Sequence, residues 1–489
     1  MLLNLSNKFL TEIPIIPNNI TELCLSHNNI KKIHGGCFHS GLRTIWLNNN
    51  EIEELDLNNF PSSLEMLSIT HNKITKIIPS NAHSKLKKIW LNNNQLTELD
   101  LGCFPTSLLE LYLPNNEVTK VIQSKHYLKL QILWVNLNNI TNLDKGVFPS
   151  KLVTLNLADN SITNITQNIF PRELKHLYLN NNKISEISRD SFPPKLQDLF
   201  LEYNDIENIG YHCFPCELSN LNIRNNKITK LTQNCFPSQL KYLWMSHNNL
   251  SKLSEKCFPS ELIYVDLSNN EIGKLEPKCF PPKLKELNME FNKLTKLVPN
   301  CFPPNLNTLS LSHNKISELV SECFPSKLKV LDMEHNKLSK LIPDCFPQNL
   351  SDLFLSYNNI SELVSGYFPT ELRQLVMKHN CITKLTENIF PDKLKTLLLC
   401  NNMIRSVTHD YFPKGLNKLS LSYNKISEIS RKSFPQKLQI LYVCGNGITT
   451  LSKRCFPNEL KELYLSAILN LIKPYNLIKT IYIHKNYLR

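Results

Sequence analysis

An asparagine stands at position 28 and at every twenty-second residue after it up to position 446, twenty copies without one insertion or deletion. A period held this strictly leaves little choice of architecture, and every other residue has to be read modulo 22. Around each Asn the pattern is L-x-x-L-x-L-x-x-N-x-I-x-x-L, as in Leu240, Leu243, Met245, Asn248, Leu250 and Leu253. Leu243 and Met245 alternate with period two, the mark of a short strand with one face buried, and the flanking apolar residues are too widely spaced to lengthen it. One unit predicts one strand and a turn. A lone unit cannot bury its apolar face, whereas stacked units share a continuous core under a parallel sheet. The Asn amide carries two donors and an acceptor, so it is expected to pair backbone groups of its own coil and the next one where the strand ends.

This pattern resembles the leucine-rich repeat, L-x-x-L-x-L-x-x-N/C-x-L, over roughly residues 3 to 488. The resemblance implies a solenoid of the α/β leucine-rich repeat type, a right-handed β-superhelix or horseshoe, with a concave parallel sheet of about 22 short strands. The other half of the unit is nearly as regular. Phe recurs from 38 to 456 with only Ala82 and His126 breaking the series, and Pro follows it in all but three units. Pro fixes its own φ, removes a donor and pushes the preceding residue towards extended backbone, so the convex side is expected to be extended or 3₁₀ and not α-helical. The Phe column should be a second core layer. Phe-Pro units of this kind resemble those of leucine-rich repeat proteins from giant DNA viruses.

The unbroken register predicts a single solenoid over 1–489. Residues 1–19 read as a degenerate first repeat, two residues short, 20–459 as twenty regular repeats, and 460–489 as degenerate closing repeats. Ile468 stands where an Asn belongs, 467–474 is irregular, and Lys479, Lys485 and Arg489 are placed to blunt the last strand's open edge. Residues 287–330 and 331–374 match over two whole units, which points to duplication of a 44-residue block. Met1 to Phe9 lacks a basic region followed by a long apolar stretch, and no window has the apolar continuity of a membrane helix. The expected address is intracellular, in the cytoplasm. N-x-S/T matches at Asn139 and Asn249 fall out of the repeat consensus and carry little weight as glycosylation sites.

Ten of the fifteen cysteines occupy the slot before the recurring Phe, from Cys37 to Cys455. Other repeats place Val147, Ile169, Ser191, Ile389 or Ser433 there, so the slot reads as a small, half-buried packing position holding free thiols. Cys213 and Cys216 form a solitary C-x-x-C without the second pair that zinc would need. The net charge of +13 comes from 55 basic and 42 acidic residues. Lys87, Lys175, Lys241, Lys285, Lys329, Lys395 and Lys461 each follow their unit's first Leu. Diluted by acids as they are, they read as a solvated face more than as a nucleic-acid footprint.

Nothing in the sequence announces catalysis: there is no Gly-rich phosphate loop, G-x-S-x-G or H-E-x-x-H. His313 and His335 recur at equivalent positions near Glu290, Asp332, Glu334 and Asp352, but their spacing follows the repeat and not a metal geometry, so no metal or cofactor is expected. The informative column is the residue between the two strand leucines, which should face solvent. It holds all four Trp of the chain, and Trp46, Trp90, Tyr112, Trp134, Tyr178, Phe200 and Trp244 are seven of its ten entries from 46 to 244. Those seven rings are the expected binding surface, exposed and suited to anchor a partner, with stacking along the sheet as the plainer alternative. The resemblance implies a non-enzymatic scaffold that binds another protein, with no membrane partner. Two other readings stay open: nucleic-acid binding through the aromatics and lysines, and a substrate-recognition subunit of a larger complex.

Overall fold

A computed structural model describes residues 1–80, 85–123, 129–431, 433–452, 455–466 and, for the backbone alone, 480–484. Ala82, His126, residues 467–474, Lys479, Lys485 and Arg489 lie outside them. The chain forms two compact units, Met1–Trp244 and Met245–Arg489.

In the first unit the middle residue of each repeat strand after the first is apolar and fully buried, Leu3 of the first being half-buried, while its neighbours face outward, as the period-two alternation requires. Twelve three-residue strands run from Leu2–Asn4 to Tyr242–Trp244 among the described residues, all parallel and in register: Leu111 lies beside Leu133, and Leu133 beside Leu155. Leu3 pairs with Leu23, so the first coil is the one shortened by two residues. The second unit repeats the arrangement with eleven parallel strands from Tyr264–Asp266 to Thr480–His484.

One coil shows how the sequence pattern becomes a core. Leu284, Leu287, Met289, Leu294, Leu297 and Phe302 all point inward and are buried. Burying a Leu or Phe side chain stabilises by about 1.5–3 kcal/mol, and each coil supplies several while covering its neighbours. The Phe column is the expected second layer: Phe148, Phe170, Phe192, Phe214 and Phe236 stack with centroids 6.1–6.3 Å apart. The cysteine slot beside it is buried more deeply than a half-buried position, since all but Cys37 and Cys103 of the ten are buried. The thiols point inside the coil, where Cys213 Sγ reaches the Ile187 carbonyl at 3.4 Å. All fifteen cysteines are free thiols.

Opposite the sheet, the backbone is extended with short 3₁₀ turns at Leu57–Asn59, Leu101–Cys103 and His409–Tyr411. It also holds something one strand per unit does not anticipate. Glu54–Asp56 pairs with Lys76–Ile78, and Glu98–Asp100 with Lys120–Ile122, as two-stranded parallel ladders, with shorter ones at Asn164–Ile165 and Glu428–Ile429. The residue that closes the repeat pattern is buried in most coils, Leu55, Leu99, Ile165 and Ile429 among them, and the extended residues around it are close enough to the neighbouring coil to pair.

The Asn column works as a ladder, in the opposite direction to the one expected. Asn50 donates from Nδ2 to the carbonyl of Leu47 at 3.0 Å in its own coil and to that of Leu25 at 3.0 Å in the preceding one. Its Oδ1 accepts from the Ile30 amide, also in the preceding coil, at 3.1 Å. The Asn thus reaches back and not forward, because the backbone groups left unpaired at its level belong to the turn of the coil before it.

Candidate interaction surface

The turn after each strand is made by the residue just ahead of the ladder Asn. In all twenty repeats that residue has positive φ, from His27 at 57° through Tyr423 at 56° to Gly445 at 64°. Asn, Asp and His tolerate the left-handed region best among residues with a side chain, and they fill most of this column. The left-handed turn ends the strand after three residues and leaves two outward-facing columns on the sheet plus a third of turn side chains along its border.

In Met1–Trp244 the seven aromatic residues all lie on the outward side, flanking buried Leu or Ile, so none is turned into the core. They are half-buried, however, and only Trp134 counts as exposed, at 38%. The reason is mutual cover. Trp90 stacks on Tyr112 with centroids 5.7 Å apart and planes 5° apart, and Tyr112 meets Trp134 edge-on at 5.5 Å. Tyr178 and Phe200 stack at 4.8 Å with parallel planes. Strands spaced ~4.8 Å apart bring equivalent rings into contact, which hides their faces and leaves their edges to solvent. The structure therefore gathers five of the seven into two groups, Trp90, Tyr112 and Trp134, then Tyr178 and Phe200. Asn156 separates the groups, Trp46 sits between Cys24 and Ser68, and Trp244 follows Asn222.

Sequence reading missed Tyr242, two residues before Trp244 in the other outward column, which is 39% exposed and stacks on Trp244 at 6.2 Å. Not every member of the column between the strand leucines reaches solvent: Ser68, Asn222, Val376 and Ser420 are buried.

Polar groups fix these rings. The Tyr112 hydroxyl donates to Glu110 Oε2 at 3.0 Å, and Glu110 pairs with Lys88 at 2.9 Å. Burial, and then the Glu110 carboxylate, push the Tyr112 phenol up to about 12. His176 bonds Asp198, which also accepts from Asn220, a polar chain running beside Tyr178 and Phe200. The lysine column is exposed, and part of it is already engaged: Lys87 pairs with Glu65 at 3.4 Å, Lys395 donates to the Gly415 carbonyl and Lys461 to Gln439.

In Met245–Arg489, His313 and His335 lie face to face at 4.0 Å as part of a longer stack, an arrangement that turns ring planes and not nitrogens towards each other. Among the described residues no group of His, Cys, Asp and Glu is arranged to hold a metal. Cys213 is buried and Cys216 exposed, so the C-x-x-C pair does not converge on one site. No helix among the described residues is long and apolar enough to cross a membrane.

Parallel coils in register, an Asn ladder and an outward sheet rich in aromatics define a repeat solenoid of a kind that presents a surface. The chain belongs to the leucine-rich repeat family: the leucine rich repeat model matches residues 18–74, 216–260, 304–360 and 392–436, and the BspA type leucine rich repeat region matches 107–214. Its fold is similar to that of YopM from Yersinia enterocolitica, at 25% identity and a TM-score of 0.64, covering 95% of this chain and 91% of that one. A leucine-rich repeat protein from Leptospira interrogans is 26% identical over 68% of this chain and 86% of its own, with a TM-score of 0.52. A circular leucine-rich repeat protein from the giant virus CroV shares the fold at 20% identity and a TM-score of 0.53, over 96% of this chain and 79% of that one. No curated protein sequence matches the chain. Leucine-rich repeat scaffolds are typical of protein–protein interaction and are in general not enzymes.

Proposed function

We propose that this chain is a non-enzymatic intracellular scaffold, one continuous repeat array acting in the cytoplasm, that binds a protein partner through the outward sheet face of Met1–Trp244. The observation that carries this reading is the pair of ring groups, Trp90 with Tyr112 and Trp134, and Tyr178 with Phe200, held half-open on the solvent side. Large aromatic rings left partly in water on a rigid sheet are the usual composition of an interface anchor, since their ordering cost is already met before the partner arrives. Trp46 and Trp244 extend the surface at either end.

A nucleic-acid partner would want the lysines free for phosphates. Lys87 is paired with Glu65, and Lys88 with Glu110, which favours the protein reading. The test is affinity capture on the immobilised intact chain, followed by titration of the purified partner in 50 and 500 mM salt. Binding of a protein that changes less than tenfold supports the proposal. Recovery of nucleic acid with a steep loss of affinity in salt overturns it.

A further inference from the structure

The turn column of the second unit carries the longest run of stacked rings on its surface. Phe291, His313, His335, Tyr357 and His379 lie face to face, with successive centroids 4.0, 4.0, 4.0 and 4.2 Å apart and planes within 12°. Phe291 and Tyr357 are 46% and 44% exposed, in a position that other coils fill with Asn269 or Asn401 at the same positive φ. The fold therefore does not need rings there.

Beside this ridge the sheet face carries carboxylates, with the exposed Lys285 and Lys329 on its opposite border. In the strands from Tyr264–Asp266 to Asp352–Phe354, the outward columns and the residue that follows them hold Asp266, Glu286, Glu290, Asp332, Glu334 and Asp352, with no Lys or Arg among them. None of the six has an ion-pair partner among the described residues, whereas Glu173, Glu261 and Glu371 elsewhere are each matched by a lysine one coil on. The far side of the ridge has exposed Lys293, Lys315 and Lys337, of which Lys293 is taken up by Glu271, and Lys378 stands next to His379.

We infer that the stacked ridge and the carboxylate face beside it form a second binding surface, and that its occupant is an arginine-bearing segment of a protein. The inner rings cover one another, but a guanidinium plane can continue the stack on the outer face of Phe291, the end ring, while its edge N–H groups bond the neighbouring Glu290 in bidentate fashion. A lysine ammonium has neither a plane to stack nor a paired N–H edge, so it makes both contacts less well. The opposite charge of the partner answers the unpaired carboxylates, which a neutral or acidic segment would not.

The experiment measures binding of three fluorescein-labelled dodecapeptides, Arg-Ser, Lys-Ser and Glu-Ser repeats, to the intact chain by anisotropy. The Arg peptide should bind at least tenfold more tightly than the Lys peptide, and the Glu peptide should not bind. Replacing Phe291→Asn, His313→Asn and Tyr357→Asn together uses the residue that other coils place at this turn, so folding should be kept while the preference for Arg disappears. Glu290→Gln with Glu334→Gln should weaken both basic peptides at least tenfold. Absence of binding, equal binding of Arg and Lys peptides, or an unaltered ring variant would each overturn the inference. So would loss of Arg-peptide binding in a Trp90→Ala, Trp134→Ala chain, which belongs to the other unit and should behave like the parent.

Discussion

The Asn292 side chain holds two coils together: its Nδ2 donates to the Leu267 carbonyl, in the preceding coil, at 2.9 Å. The same nitrogen donates to the Met289 and Glu290 carbonyls, and its Oδ1 accepts from the Ile272 amide at 3.0 Å, so one 5%-exposed side chain engages four backbone groups. Truncation would leave the buried Ile272 amide without its acceptor, while the Leu267 and Met289 carbonyls would keep Asn270 and Asn314 as donors.

Asn292→Ala is therefore expected to cost about 1–3 kcal/mol. Because coils couple mainly to their neighbours, hydrogen exchange should quicken first at Ile272 and Leu267, on the preceding coil, and only later elsewhere. An unchanged melting curve with unchanged exchange at those amides would remove the Asn column from the account of stability.

The fold was legible because it depends on periodicity, and periodicity survives in sequence without knowledge of contacts. The strand leucines, the Phe column and the Asn ladder all sit where a modulo-22 reading places them. Direction and depth were not legible. Whether Asn50 reaches Leu25 or the following coil depends on which backbone groups the turn leaves free, and that follows from the positive φ of Asn49. The degree to which Tyr112 is covered depends on the ring rotamers of Trp90 and Trp134, which sequence does not encode locally. The ring ridge from Phe291 to His379 could have been found by reading the column ahead of the Asn as closely as the strand column; only His313 and His335 stood out without that step.

Burial keeps the column thiols protonated. It pushes Cys235, Cys279 and Cys323 up to about 12, well above the range of an exposed thiol. Iodoacetamide at pH 8 should therefore label exposed Cys216 of the folded chain far faster than Cys235, Cys279 or Cys323, and all fifteen cysteines once the chain is unfolded without reductant. Peptide mass spectrometry over time checks both parts. Equal rates in the folded sample would contradict the burial seen at this slot, and stable disulfides in the unfolded one would contradict the proposed intracellular address.

Asp332 is half-buried near Glu290 and Glu334, and desolvation first, then those two charges, lift its carboxyl to about 6. The folded chain holds this proton more tightly than the unfolded chain, whose carboxyl titrates near 3.8. Stability from this residue is thus highest below the unfolded value and falls as pH rises from there through about 6. Asp332→Asn keeps an oxygen for the Glu334 amide, which bonds Oδ1 at 2.9 Å. The substitution should stabilise the chain at pH 7.5 by about 1 kcal/mol after allowance for solvent screening, and by nothing measurable at pH 3.5. Denaturant midpoints at the two pH values decide it; a loss of stability at pH 7.5 would mean that the charge is compensated.

The ring groups of the first unit make the sharpest demand on the proposed function. Trp90 and Trp134 both rest on Tyr112, and their inner neighbours Ile89 and Leu133 are fully buried, so the two indoles can be removed without opening the core. Loss of the two ring contacts should cost about 1–3 kcal/mol of stability, from pairs worth roughly 0.5–1.5 kcal/mol each. As interface anchors they are worth more, about 2 kcal/mol or above apiece, so Trp90→Ala with Trp134→Ala should weaken partner binding at least 100-fold. Tyr442→Ala serves as the control, since Tyr442 occupies the same column and stacks on Tyr464 at 4.2 Å in the other unit. It should leave affinity for the partner within threefold of the parent. Isothermal titration of the three chains at equal fractions folded separates the cases. If the double variant binds as the parent does, the rings only stack along the sheet and the partner sits elsewhere. If Tyr442→Ala is as damaging as the double variant, binding is not confined to the face of Met1–Trp244.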